Sequence, residues 1–203
     1  MIQSLFNSPL LFVLSILGLV VAITVHEFAH ALAADHLGDP TPRSQGRLSL
    51  NPLSHLDPLG TVMLILAGFG WGKPVQFDPY NLEHPQRDTG LISLAGPASN
   101  LVLAVLLGFL FKTLPAGFAS LLLPLIYTNI ILAVFNLVPV YPLDGEKILS
   151  SLLPKHLSFE YQSIMRQYGT LILIFLILPI YGGSSAISQL ISPVISLILN
   201  LII

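Results

Sequence analysis

Apolar residues in this chain fall into long blocks rather than alternating with polar ones. From Pro9 to Val25 there is no ionisable residue. Pro9 suits the first turn of a helix, and nothing breaks the pattern before Gly38 and Pro40, so one helix is predicted from Pro9 to Leu37. Further apolar blocks run from about Leu59 to Phe69, Gly90 to Phe111, Ala119 to Val138, Tyr168 to Ile180 and Ala186 to Ile203. The Leu59–Phe69 block is only about eleven residues long, or ~17 Å as a helix, too short for a hydrocarbon core of ~30 Å. It is predicted to be re-entrant. Between the blocks, Leu48 and Leu50 alternate with polar residues inside Gly46–Gly60, which reads as a short strand or turn-rich interfacial segment. Gly70 to Phe77 reads as an interfacial loop with a short extended piece, its Trp71 at headgroup depth.

The expected fold is therefore an all-α polytopic membrane protein with about five transmembrane helices, one re-entrant segment and a short interfacial β element. A single integral membrane domain is expected over 1–203, with a core at about 9–150 and a C-terminal helix pair at about 164–203. Composition agrees: 54% of the 203 residues are hydrophobic, only 9% are charged, and the mean hydropathy is +0.82. A soluble domain carries about 25% charged residues. No basic cluster points to nucleic acid. Without cysteine, disulfides and thiolate zinc sites are excluded. The first basic residue is Arg43, so the start lacks the positive region of a secretory signal, and the first apolar block is expected to remain in the mature protein.

That block ends in chemistry. Val25-His26-Glu27-Phe28-Ala29-His30 contains H-E-x-x-H. On a helix, residues four apart share a face, so His26 and His30 can each direct an imidazole nitrogen at one Zn²⁺. Glu27 then stands beside the water to be activated. A chance pattern on a solvated helix face is the competing reading. It is disfavoured here because ionisable groups inside a lipid-compatible helix are costly and default to function. His26 lies ~25 Å along the first helix, which puts the metal just inside the membrane near the exit end.

A catalytic zinc takes three protein ligands and leaves a fourth position open. Asp144 is the best third candidate, because it follows an apolar block broken by Pro139 and Pro142 and would otherwise be a costly buried charge. A helix-ending Asp-Gly turn is the plainer alternative. If Asp144 meets both histidines, a single crossing separates the first and fourth blocks, and the short second block cannot span. Arg43, Arg47, Lys73, Arg87, Lys147, Lys155 and Arg166 then share one face, and only Lys112 lies on the other. By the positive-inside bias the zinc end is cytoplasmic, with the N-terminus outside and the C-terminus inside. His55 and Asn100 are candidate supports behind the ligands. His55 could instead orient local turns together with Asp57, and Asn100 could simply bond across helices. His36, His84 and His156 fall outside the metal motif and are expected at the interface or in solvent.

Assembled in this way, the motifs resemble those of the site-2 protease family of intramembrane zinc metalloproteases, in its compact bacterial and archaeal branch without PDZ or CBS domains. H-E-x-x-H matches at His26, Glu27 and His30, and an Asn-x-x-Pro…Leu-Asp-Gly motif matches at Asn136, Pro139, Leu143, Asp144 and Gly145. The segments Gly46–Gly60, Gly70–Phe77 and Ala95–Asn100 are also similar. The resemblance implies His26, His30 and Asp144 as ligands of one Zn²⁺ per chain, Glu27 as the catalytic base, and Asn136 as a substrate or oxyanion contact. Glu146 and Lys147 depart from the residues often found after this motif, so no role is carried onto them.

The expected function is hydrolysis of peptide bonds in or near transmembrane segments of membrane protein substrates, as in regulated intramembrane proteolysis. The partners are then a transmembrane protein or peptide and the lipid bilayer, with no nucleic acid. The expected location is a prokaryotic inner or plasma membrane. A transmembrane substrate must unwind locally before it can be cut, and strand addition to Gly70–Phe77 would hold it. The alternative is a non-proteolytic zinc-binding membrane protein, a transporter or a scaffold. A transporter should show polar groups along its path and repeated halves, and a scaffold need not keep Glu27.

Overall fold

Helix α1, Pro9–His36, begins with proline in its first turn and stops where Gly38 takes a positive φ of 103° that favours glycine. The computed structural model describes residues 8–67, 70–179 and 183–203. After α1 come a helical turn at Thr41–Ser44, a 3-10 turn at Pro52–Ser54 and α2, Pro58–Ala67. The long α3 spans Pro85–Thr113, and α4, Leu123–Asn136, follows short turns that start at Ala116. Next come α5, Asp144–Leu152, then α6, Lys155–Ile177, and α7, Ala186–Ile202.

Among the described residues the fold is all-helical, and α1, α3 and Ala116–Asn136 are long and apolar enough to cross a membrane. With α2 at 10 residues, the second apolar block is indeed short, and Gly68 and Phe69 at its predicted end lie outside the described residues. No strand forms among the described residues. An isolated antiparallel bridge, Leu56 to Gly72, stands where a short β element is predicted. Pro58 and Pro74 lie two residues beyond the two bridge partners, and a proline has no N–H with which to extend a ladder. Two helices are longer than their apolar blocks. The first turn of α3 is polar, opening at Pro85 with Asp88 in its first turn, and α6 starts at Lys155, so hydropathy detects only their apolar parts. Ile180, the predicted end of the latter block, lies outside the described residues.

The centre of the molecule is α3, which packs against α1, α4 and α5, while α1 also packs against α4. In lipid the hydrophobic effect does not press apolar helices together, so close packing of small residues must do so. Ala22, Ala31, Ala34, Ala104 and Ala133 are all fully buried in these contacts. The outer faces behave oppositely: Leu106, Phe109, Phe175 and Leu201 are 60–73% exposed, as lipid-facing side chains should be.

Two polar staples organise the loops beyond the end of α1. The Asp39 carboxylate accepts from the Thr41 N–H and hydroxyl, the Asn81 amide and the Asp78 N–H at 2.6–3.1 Å, tying the α1 exit to the loop before α3. Burial pushes the Asp39 carboxyl up, but these four donors outweigh it and hold the group below its ordinary value. The Arg47 guanidinium, 4% exposed, donates to the carbonyls of Ser54, Lys73 and Pro74 and so joins the Pro52–Ser54 turn to the extended Lys73–Val75 segment.

Candidate metal centre

Helical spacing puts His26 and His30 one turn apart on α1, with ring centroids 4.6 Å apart and the rings edge to face. Asp144 opens α5 and comes from the far end of the chain: its Oδ2 lies 3.0 Å from His26 Nε2 and 3.3 Å from His30 Nε2. Both histidines are buried, and each has its other ring nitrogen engaged. His30 Nδ1 is 2.7 Å from the Ile92 carbonyl, which can only accept, so the proton sits on Nδ1. His26 Nδ1 is 2.7 Å from Asn100 Oδ1. The Asn100 amide nitrogen donates to the Ala22 carbonyl and to Asn129 Oδ1, which fixes the amide orientation and makes Oδ1 the acceptor for His26 Nδ1–H. Both Nε2 atoms are thereby left as bare lone pairs.

Three acceptors, two imidazole nitrogens and a carboxylate oxygen, thus converge within 4.8 Å of one another. Such a cluster repels itself unless a proton or a cation lies among its members. Two nitrogen or oxygen ligands ~2.1 Å from a tetrahedral ion stand ~3.4 Å apart, close to the separations found here, and this donor set suits zinc. The floor of the group is Gly96 of α3. A Cβ there would fall 2.5 Å from His30 Nε2 and 2.7 Å from His26 Cε1, so only glycine leaves the ligand atoms room. The residues present therefore fit a zinc ion. Pro97, next to Gly96, leaves the Ser93 carbonyl without its helical donor one turn from the site, within the helix wall that also carries Ile92.

Glu27 lies beside this group rather than in it. Its Oε2 accepts from the Val75 N–H at 2.9 Å, so the extended segment after Gly72 anchors the carboxylate. Gly72 permits that approach, since a Cβ there would meet Ile23 at 2.7 Å and the His55 carbonyl at 3.1 Å. His55 itself is fully buried. Its Nε2 donates to the Ser49 carbonyl and its backbone carbonyl accepts from Lys73, so it braces the loop; its Nδ1 has no partner among the described residues. Asn136 donates to the Leu132 carbonyl one turn back, and its Oδ1 makes no hydrogen bond among the described residues. Asp57 caps the start of α2 through the Gly60 N–H, and the exposed His36, His84 and His156 stand apart from the metal group.

Sequence reasoning overlooked Asn129, which holds Asn100, together with the Ile92 carbonyl and the Val75 N–H. Asn129 was in principle detectable as a lone amide in an apolar block. Backbone donors and acceptors leave no trace in a sequence.

Comparisons with known proteins converge on one family. The model of peptidase family M50 matches residues 111–176. A provisionally named zinc metalloprotease of Bacillus subtilis, YwhC, is 40% identical over 151 residues, covering 68% of both chains. The provisionally named zinc metalloprotease Rip2 of Mycolicibacterium smegmatis is 36% identical over 180 residues, covering 82% of this chain and 67% of its own. A third such protein, MJ0611 of Methanocaldococcus jannaschii, is 30% identical over 146 residues, covering 70% of this chain and 72% of its own. No solved structure matches the chain. The chain belongs to peptidase family M50, the site-2 protease family of zinc metalloproteases of membranes.

Proposed function

We propose that this protein is an intramembrane zinc endopeptidase that hydrolyses peptide bonds in or near transmembrane segments of membrane protein substrates. The observation that carries the reading is the convergence of His26 Nε2, His30 Nε2 and Asp144 Oδ2 on one point, with Glu27 adjacent to His26 on the same helix. His26, His30 and Asp144 would hold one zinc per chain. When bound, zinc supplies a Lewis acid that polarises the scissile carbonyl and makes water acidic enough to attack near neutral pH. Glu27, oriented by the Val75 N–H, takes the proton of the attacking water and passes it to the departing amine. Asn100 and the Ile92 carbonyl keep both Nε2 lone pairs turned inward. The open Asn136 Oδ1 and amide are available to an unwound substrate backbone, and His55 acts indirectly by bracing the loop that carries Val75.

In this reading the chain makes five crossings with α2 re-entrant, and the zinc end faces the cytoplasm across a prokaryotic plasma membrane. The substrate strand pairs with the extended edge beyond Val75, whose own N–H is already committed to Glu27.

The test compares zinc content and cleavage of a transmembrane reporter in liposomes for wild type, Glu27→Gln and Asp144→Ala. Wild type should cleave. Glu27→Gln should keep about one zinc and lose at least ~100-fold in rate, because only the proton transfer is removed. Asp144→Ala should lose both zinc and cleavage. Full cleavage by Glu27→Gln would sink the mechanism, and stable zinc in a wild type that cuts no reporter would favour the binding-protein alternative.

A further inference from the structure

A cleft of about 820 Å³ opens beside the metal group, and neither the metal nor the catalytic base accounts for it. One wall is the extended Val75–Phe77 segment, whose Val75 N–H anchors Glu27. The opposite wall begins at Tyr141 and Pro142, which lead directly into Asp144, and continues through α5 to the first turns of α6. A chain leaving the point between Glu27 and Asp144 on the zinc side of the membrane would therefore pass into this cleft.

The exposed charged residues in its lining are all basic. Lys147, Lys155 and Arg166 line the cleft, and the last two are exposed. None of the three forms an ion pair with a carboxylate among the described residues, whereas Arg43 pairs with Asp35 and Arg87 with Asp88. Lys147 lies over the Phe77 ring, 5.0 Å from its centroid, which bridges the two walls at the mouth. The one carboxylate in the lining, Glu146, is 6% exposed. The polar remainder, Gln86, Ser150 and Gln162, offers hydrogen bonds to an extended backbone.

We infer that this cleft is a substrate subsite that receives an acidic, extended juxtamembrane segment lying on the zinc side of the scissile bond, with Lys147, Lys155 and Arg166 selecting for its negative charge. The inference rests on the protease reading above and adds the class of sequence that the enzyme prefers. The continuity of both walls with Glu27 and Asp144 identifies the occupant as substrate, and three cations set against one buried carboxylate, Glu146, specify its charge. Complementary charge of this kind acts on encounter and register, and salt screens it.

The experiment uses the full-length protein in liposomes of neutral lipid and three reporters that share one transmembrane segment. Their juxtamembrane residues on the zinc side are acidic, neutral or basic. Wild type should cleave the acidic reporter about tenfold faster than the basic one at low ionic strength, and the ratio should shrink towards unity in high salt. The Lys155→Glu/Arg166→Glu double variant should invert the acidic-to-basic ratio, which is an internal comparison independent of how much enzyme is folded. Lys155→Gln/Arg166→Gln, a milder change, should bring the ratio close to one. Equal cleavage of all three reporters by wild type would overturn the subsite and leave the protease intact. Absence of cleavage of any reporter by wild type would overturn the protease reading and this inference with it. In a parallel set of liposomes containing anionic lipid, a preference that depends on Lys155 and Arg166 there but not in neutral lipid would assign the cations to lipid headgroups and overturn the subsite.

Discussion

Asn100 stands directly behind His26, one of the three residues proposed to hold zinc, and fixes which ring nitrogen is free. The Asn100 amide joins three helices: it accepts from His26 on α1, sits on α3 and donates to Asn129 on α4. Replacing Asn100 with Leu removes the acceptor that keeps the proton on His26 Nδ1 and leaves the Ala22 carbonyl and Asn129 Oδ1 without that donor. We expect zinc affinity to fall about 10–100-fold, measured by chelator competition, with Asn100→Asp recovering part of the loss through its carboxylate. A purely structural role would lower stability and leave the affinity of the folded fraction unchanged.

At the scale of elements, Glu27 is aimed by a segment that has almost no regular structure of its own. The isolated Leu56–Gly72 bridge is too little to hold it, and Arg47 supplies the rest by gathering three carbonyls from two loops. A lysine at position 47 presents a point charge where a planar fork is needed. Arg47→Lys should therefore loosen the segment, with a cost of about 1–3 kcal/mol for each carbonyl left unpaired. Hydrogen exchange at the Val75 amide should accelerate and cleavage should fall while zinc is retained. The Asp39 staple makes a pH prediction. Its folded pKa is depressed below the ordinary 3.8, so its stabilisation is fully present above that value and is lost as pH falls through the lower folded value. Thermal unfolding followed at decreasing pH should show an acid-labile component that Asp39→Asn lacks. The variant should be less stable at neutral pH by about 1–3 kcal/mol, because one amide oxygen cannot satisfy four donors.

For the molecule as a whole, the distribution of basic residues and the meeting of α1 with α5 bear on topology together. In the proposed five-crossing arrangement the ends of α1 and α4 emerge on the same side, with α3 as the single crossing between them, which lets Asp144 reach His26. Cysteines introduced at Arg43 and Lys155 should then be labelled by an impermeant thiol reagent from the cytoplasmic side only, and one at Lys112 from the opposite side only; the chain has no native cysteine to interfere. Labelling of Lys112 from the same side as Arg43 would refute the five-crossing arrangement.

The sequence by itself determined the long membrane-compatible helices, the short second block and the placement of two histidines on one helical face. These depend on local periods and lengths, 3.6 residues per turn and 1.5 Å per residue, which any stretch of chain carries with it. It also singled out Asp144, because an acid after a proline-broken apolar block requires a reason. Only the tertiary structure decided which groups stand behind the ligands and beside the base. The contacts of Asn100 with Asn129, His30 with the Ile92 carbonyl, and Glu27 with the Val75 N–H span 29, 62 and 48 residues of chain. Two of those partners are backbone groups that every residue possesses, so no residue type marks them in advance. The polar first turn of α3 and the polar first half of α6 escaped hydropathy for a related reason: those residues continue a helix without adding to its apolar block. Gly96 likewise reads as one small residue among several until the two imidazoles are placed against it.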